Sequence, residues 1–389
     1  MKDILSKVDR KEVGFVFSLL IFLTILLLLP TGFDKQLYIH TEGVKAKVLS
    51  VDNSNVINTG LFRQGDQRVT IQIETGSYKG QVVDADNMLK GSLAEDKIFV
   101  EGDRAWVLIG FNEDGNINFA NMVEHYRLNK EIVLIGCFAI IIIFFSGFTG
   151  VRTLLSFAFA LLSIWKILIP AMLKGFNPII VALIVGNCLT IITILLVTGF
   201  TKRAYAAIIS SISCSFATCI LAIIFGNYFN IHGAVMDWSE SLLYAGFLKL
   251  NLTAIFQAGI YLASSGAILD LAVDISSALD EVVKNNPEIT RKSLITSGMS
   301  IGKSVVGSQT TTLLFAYMGS YLSVMMVYMA QGTPMLNILN SKVIAAEILH
   351  TFVGCIGLVL VSPLTSVICG LLFKSKKDKG TITLSQNRL

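Results

Sequence analysis

The sequence predicts an all-α polytopic membrane bundle of about eight transmembrane helices, with a small extracytoplasmic β-barrel-like domain of the OB type inserted after the first helix. Three observations carry this. Hydrophobic residues make up 53% of the chain and charged residues only 15%, with a mean hydropathy of +0.68; soluble domains carry about 25% charged residues. Eight apolar runs are each near or above the ~20 residues needed to cross a hydrocarbon core. A single long polar segment, 33–130, carries β patterning instead.

The first apolar run, Val13–Leu29, follows Lys2, Lys7, Arg10 and Lys11. It exceeds the ~7–15 residues of a signal-peptide core and lacks a small-residue cleavage site, so it reads as a retained anchor. The other spans fall at about 131–149, 152–173, 176–199, 203–226, 249–273, 303–329 and 343–373. With the N-terminus inside, Arg152, Lys202, Arg203, Lys284, Arg291, Lys292 and Lys303 lie on the cytoplasmic side, as do Lys374, Lys376, Lys377 and Lys379 of the tail. The opposite short loops hold Lys174, Lys249 and Lys342, so the positive-inside rule puts both termini in the cytoplasm. The domain plan is then an anchor over 1–32, an external β domain over 33–130, a seven-helix membrane domain over 131–373 and a basic tail over 374–389.

In the β segment, Val44–Val51, Arg68–Glu74, Asp103–Phe111 and Gly115–Tyr126 read as strands, and five or six short strands suit a small barrel. Asp52–Asn55 and Asn112–Gly115 read as turns. Over 33–130 there are 11 Lys and Arg against 14 Asp and Glu, a net of −3, the wrong sign for tracking phosphates, so nucleic acid is not an expected partner. All six cysteines lie in apolar runs and read as small hydrophobes.

The residues with chemistry in them are intramembrane polar groups. Asp270 and Asp274 stand four apart on one helical face, continued by Gly259, Ala263 and Gly266. Small residues allow close helix approach, so this face is expected to look into the bundle. Gly259, Ser264, Ser265 and Gly266 also make this span the one expected to break, as transporter helices do at binding sites. Span seven carries Ser304, Gly307, Ser308, Gln309, Thr310, Thr311 and Thr312, a polar run that either lines a solute path or serves as interhelical glue. Glu347, His350, Gly354 and Gly357 share one side of the last helix. A Glu–His pair there is either a proton relay or a self-satisfied interfacial pair. Residues 276–286 are expected to form a separate cytoplasmic amphipathic helix, ended by Asn286-Pro287.

Several ordered blocks resemble the YibE/F family of bacterial multi-spanning membrane proteins. They are Ser265-Gly-Ala-Ile-Leu-Asp270, Ile275-Ser-Ser-Ala-Leu-Asp-Glu281 with Asn286-Pro287, Ser297-Gly-Met-Ser-Ile-Gly302 with Gly307, Thr312-Leu-Leu-Phe-Ala-Tyr-Met-Gly319, Gly354-Cys-Ile-Gly357 and Pro363-Leu-Thr365. Asp274 stands where the family more often has a small polar residue, and His350 replaces a more basic one. The resemblance implies a protein of the bacterial inner (cell) membrane, of permease type.

Enzyme chemistry is not expected. There is no His-Glu-x-x-His zinc motif and no phosphate-binding Gly-x-x-x-x-Gly-Lys loop, so neither a catalytic residue, a metal nor a cofactor is assigned. The expected function is secondary-type transport of a small solute or ion. Asp270, with Asp274 beside it, is the proton- or cation-responsive site; Ser265, Gly266, Thr310 and Thr311 line the path; Glu347 and His350 gate or relay. The rival is a membrane scaffold, assembly or receptor protein that recruits a partner through the β domain. Beyond the lipid bilayer and the solute, a second membrane subunit or a homo-oligomer is the partner left open.

Overall fold

The computed structural model describes residues 10–33 and 40–373. Lys2, Lys7 and the tail lysines 374, 376, 377 and 379 lie outside the described residues. The chain divides into two compact units, Met1–Phe33 with Ser146–Leu389, and Asp34–Phe145.

The smaller unit holds a closed barrel of β1 (Thr41–Asn58), β2 (Arg63–Ile73), β3 (Val82–Lys90), β4 (Arg104–Phe111) and β5 (Ile117–His125), in the order β1-β2-β3-β5-β4. Strand alternation places Val44, Ala46 and Val48 of β1 against Val69, Ile71 and Ile73 of β2 and Val107 and Ile109 of β4, all in the barrel interior. Two sequence expectations change. β3 was not anticipated, and Asp52–Asn55 is not a turn between strands. It lies inside β1 at a register shift, where Asp52 Oδ1 accepts the Ser54 N–H at 2.8 Å. Such a bulge bends a long strand so that it serves two neighbours, and β1 pairs with both β2 and β4. The Asn112–Gly115 turn is present, with Gly115 N–H donating to Asn112 O at 2.9 Å.

One polar side chain is central to the barrel. Gln67 is fully buried; its Nε2 donates to Asn53 Oδ1 (2.8 Å) and Phe99 O (3.1 Å), and its Oε1 accepts from Asn87 Nδ2 (2.9 Å) and Phe99 N–H (3.0 Å). Gln67→Ala would strand several buried groups, each worth roughly 1–3 kcal/mol. The expected loss is about 3 kcal/mol or more, read as a collapse of amide hydrogen-exchange protection in β1 and β2. Unchanged protection would show that the barrel does not depend on this network. The same unit also contains helix α2 (Leu128–Ser146), none of whose side chains is buried.

The larger unit is helical: α1 (Arg10–Leu28), α3 (Phe148–Leu173), α4 (Pro178–Thr198), α5 (Lys202–Tyr228), the short α6 (Ser239–Tyr244), α7 (Leu252–Asn285), α8 (Arg291–Ala330), the short α9 (Met335–Asn340) and α10 (Lys342–Phe373). Among the described residues, six helices (α2, α3, α4, α5, α7 and α10) are long and apolar enough to cross a membrane; α8 makes a seventh if its two arms, bent by 63° between Gly319 and Tyr321, form one span. The apolar stretch of α1, Gly14–Leu28, is shorter. The chain is therefore a mostly helical membrane protein with a small five-stranded barrel near its N-terminus.

Helix α7 is the hub, packed against α4, α5, α8 and α10. Its buried side is Ile260, Tyr261, Ser264, Ile268, Leu271, Ile275 and Leu279. Helix pairs approach closely at small residues: Gly186 of α4 lies under the Tyr261 ring, and Gly302 of α8 lies against Ser362 of α10. The expected break in this span is absent. Ser264 and Ser265 return their hydroxyls to the helix's own carbonyls, Ile260 O and Tyr261 O at 3.0 Å and Leu262 O at 2.7 Å, so the helical ladder stays satisfied. Residues 276–286 are likewise no separate helix; α7 continues to Asn285, with Asp280 held by Lys284 at 2.8 Å.

Candidate functional site

Helix α10 carries Glu347 and His350 three residues apart, hence on one face. Ser341 opens the helix by accepting the Ile344 N–H at 3.3 Å. Pro363 lies well below the site, where packed neighbours tolerate the missing N–H. The facing helix α8 contributes Tyr317 and Tyr321, again one helical turn apart.

The four side chains meet. His350 Nδ1 lies 3.9 Å from Glu347 Oε2. The Tyr317 ring stacks on the imidazole with centroids 4.3 Å apart and planes 32° from parallel. Tyr321, one turn further along α8, lines the same space as Glu347. Glu347 is only 6% exposed. Its Oε1 and the His350 Nε2 are buried with no hydrogen-bond partner among the described residues. A buried carboxylate normally has its acceptor sites filled, so this one keeps an acceptor in reserve. Beside it opens an apolar cavity of about 140 Å³ between α8, α9 and α10, walled by Leu314, Met318, Met325 and Phe352, to which Glu347 and Tyr321 present only apolar atoms. An imidazole next to a carboxylate can pass a proton between them, and the unfilled oxygen can accept a cation.

The other sequence-predicted residues are elsewhere. Asp270 and Asp274 are exposed on the outer side of α7 and make no hydrogen bond or ion pair among the described residues. Ala263 and Gly266, on the same stripe, are exposed too, and a side chain at Gly259 or Gly266 would meet nothing within 4 Å. The expectation that this face looks into the bundle is thus corrected: the packed side of α7 is its branched aliphatic side, which fills the core, while the stripe is left uncovered in the single chain. Ser265 is half-buried with its hydroxyl returned to its own helix; Thr310 and Thr311 of α8 do the same, to Val306 O (2.6 Å) and Gly307 O (3.2 Å). These groups do not converge with Glu347 and His350. Ser264 lies against Gly354 and Ile268 against Gly357, so α7 and α10 run parallel and Asp270 is level with about residue 360, roughly 20 Å along α10 from Glu347.

Two groups of residues escaped the sequence reading. Tyr317 and Tyr321 were hidden in an apolar run, although their four-residue spacing was visible. Ser210, Ser211, Ser215 and Thr218 form a fully buried hydroxyl row on α5, at the same helical spacing. Of the cysteines, Cys214, Cys219, Cys355 and Cys369 are buried as expected, whereas Cys137 and Cys188 are exposed on their helices.

Two family models match this chain. One, described as YibE/F-like protein, covers residues 134–375; the other, described as YibE/F family N-terminal domain, covers residues 36–124. No curated protein and no solved structure matches it.

Proposed function

This chain belongs to the YibE/F family, and from that premise we propose that it is a secondary-type transporter, a permease for a small solute or ion. The observation that supports the reading is the buried Glu347–His350 pair with an unfilled carboxylate oxygen beside a cavity. Ionisable groups are kept inside membrane bundles at a cost, and proton relays and ion paths are where that cost is met by function. We assign the proton- or cation-responsive role to Glu347, with His350 as its exchange partner, in place of Asp270. The hydroxyls of Ser265, Thr310 and Thr311, bonded to their own helices, are assigned to structure. No catalytic step is part of this reading. Its test is flux in proteoliposomes under an imposed pH gradient, comparing the intact protein with Glu347→Gln.

Asp270 and Asp274 then need another account. Both are exposed in an apolar zone, and so is Lys303 of α8, which also lacks a partner among the described residues. A side chain at Gly302 would touch Ile275, which sets Lys303 level with Asp274. Opposite charges at one depth, left open on two helices beside a stripe of small residues, suit a contact with a second copy of this chain. A cysteine at Ala263 is expected to cross-link on oxidation in native membranes to a species of twice the mass, and Asp274→Lys to abolish it. An Ala263→Cys protein that stays monomeric under oxidation would rule the second copy out.

The positive residues support a bacterial inner-membrane orientation with both termini inside and the barrel outside. The scaffold reading has one observation of its own, the exposed Leu61 and Leu93 at the rim of a barrel cavity. It requires that loss of residues 34–128 abolish function while Glu347→Gln does little, the reverse of what transport requires.

A further inference from the structure

We propose that the groove at the end of the barrel from which α2 leaves holds the phosphodiester headgroup of an anionic lipid, in the leaflet on the barrel's side of the membrane. The groove encloses about 650 Å³ and is lined by Lys47 of β1, Arg104 of β4, and Arg127 and Lys130 where β5 hands over to α2, with Glu74 and Asp103 as its acids. Ligand clefts span roughly 300–1,000 Å³.

The charge argues first. Residues 33–130 are net −3, yet this groove carries four Lys and Arg against two acids, a local balance of +2. Both acids are already engaged. Glu74 Oε2 lies 3.0 Å from Lys45 Nζ and its Oε1 3.5 Å from Arg104 Nε. Asp103 Oδ2 accepts the Val100 N–H at 3.0 Å and lies 3.8 Å from His125 Nδ1. Lys47 and Lys130 have no ion pair among the described residues. Lys47 also stands directly opposite Arg104 in the β1–β4 register. Like charges opposite each other on a sheet are destabilising, and an anion between them relieves that cost. Arg104 and Arg127 each meet one carboxylate, Arg127 through Nη1 at 3.1 Å from Glu124, and a guanidinium has five N–H donors, so donors remain for phosphate oxygens.

The place argues second. Helix α2 starts at Leu128 and is long and apolar enough to cross a membrane. Arg127 and Lys130 therefore stand where the chain enters the apolar layer, at headgroup depth. Tyr126 lines the groove and packs against Trp106, with ring centroids 6.3 Å apart and Trp106 40% exposed. Tyr and Trp are the residues that sit at the headgroup level of membrane proteins. A lipid phosphate is held at this depth by its own acyl chains, whereas a free anion must be drawn from solution. A zwitterionic headgroup would bring a second positive charge against Lys47 and Lys130.

The topology argues third. The basic residues come from three separate stretches of chain, at 47, 104 and 127–130, and only barrel closure brings them together. β4 pairs with β1 on one side, Lys47 against Arg104, and with β5 on the other, Ala105 against His125. One headgroup in the groove therefore touches two strands and the first turn of α2 at once. Its binding is expected to slow amide exchange over 126–130 as well as to fill the groove.

The test is native mass spectrometry of the full chain purified in detergent and titrated with phosphatidylglycerol, with phosphatidylcholine as the zwitterionic comparison. Each Lys or Arg beside an anionic lipid surface contributes about fivefold in affinity. The double variant Lys47→Gln/Lys130→Gln is therefore expected to weaken the first phosphatidylglycerol adduct by about twentyfold. Lys79→Gln/Lys90→Gln makes the same change of charge on barrel residues outside the groove and is expected to bind like the intact protein. All four lysines are exposed, so both variants should fold, which size-exclusion chromatography checks. Lipid held elsewhere on the bundle adds equally to every variant and cancels in the comparison. Equal phosphatidylglycerol binding by the intact and Lys47→Gln/Lys130→Gln proteins would overturn the proposal. So would an equal loss in Lys79→Gln/Lys90→Gln, or phosphatidylcholine binding that responds to Lys47 and Lys130 in the same way. Sodium phosphate should displace the lipid no further than sodium chloride of equal ionic strength. Displacement beyond that would make the groove a site for a free anion and overturn the lipid assignment.

Discussion

Glu347→Gln is expected to reduce gradient-driven flux to the protein-free leak while leaving the fold intact or slightly more stable. The two effects have one cause. A carboxylate this deeply buried, with an oxygen unfilled, is an unfavourable element of the resting structure. The isosteric amide keeps the volume and removes the charge, and replacing buried charge by neutral groups of like volume is often neutral or stabilising. A structural role for Glu347 predicts the opposite, because breaking a needed buried pair costs about 3–5 kcal/mol. Thermal stability and flux measured on the same preparation therefore separate the cases. Normal flux in a stable Glu347→Gln protein would remove the pair from the mechanism. A marked fall in melting temperature would make it an architectural pair.

The second large effect is expected at Gly302. Any Cβ here would run into the Ser362 hydroxyl, with Ile275 close by, so Gly302→Leu forces α8 away from α10 where both also meet α7. Overpacking of this kind costs about 1–3 kcal/mol and sometimes more, and here the obstruction lies between helices whose separation is set by small residues. The protein is expected to aggregate or lose about 5–10 °C of thermal stability in detergent, judged by size-exclusion after heating. Gly307→Leu is the control. It lies on the same helix five residues on, and a side chain there would meet nothing within 4 Å, so little change is expected. Gly302→Ala is expected to lose less, and shortening Ser362 to Gly should recover part of that loss, because it removes the atoms in conflict. Equal tolerance at 302 and 307 would mean that α8 and α10 are not packed at this point.

Much of the fold was legible in the residues. Apolar runs of membrane length foretold the helices at 178–198, 202–228 and 342–373 to within a few positions. β-branched alternation foretold four of the five strands, but Val82–Lys90 carries Asp84, Asp86 and Asn87 and so reads as loop. Its Asn87 points inward only because Gln67 waits opposite it, a pairing 20 residues away. The site was half legible. Glu347 and His350 were chosen for their chemistry, and the structure brings them together with Tyr317 and Tyr321. Asp270 was chosen for the same reason and lies on the outer side of its helix.

The sequence by itself determined that this is a membrane protein of the YibE/F family, where its helices and its barrel fall along the chain, and that acids occur within the apolar zone. Only the tertiary structure decided which face of each helix is the inside. In water, hydropathy answers that question, because polar faces turn outward. In a bilayer both the bundle interior and the surroundings are apolar, so hydropathy does not distinguish them, and the choice passes to shape. The fit of Tyr261 over Gly186 and of Ser362 against Gly302 rotates α7 and α8 so that Asp270, Asp274 and Lys303 face outward and Glu347 is enclosed.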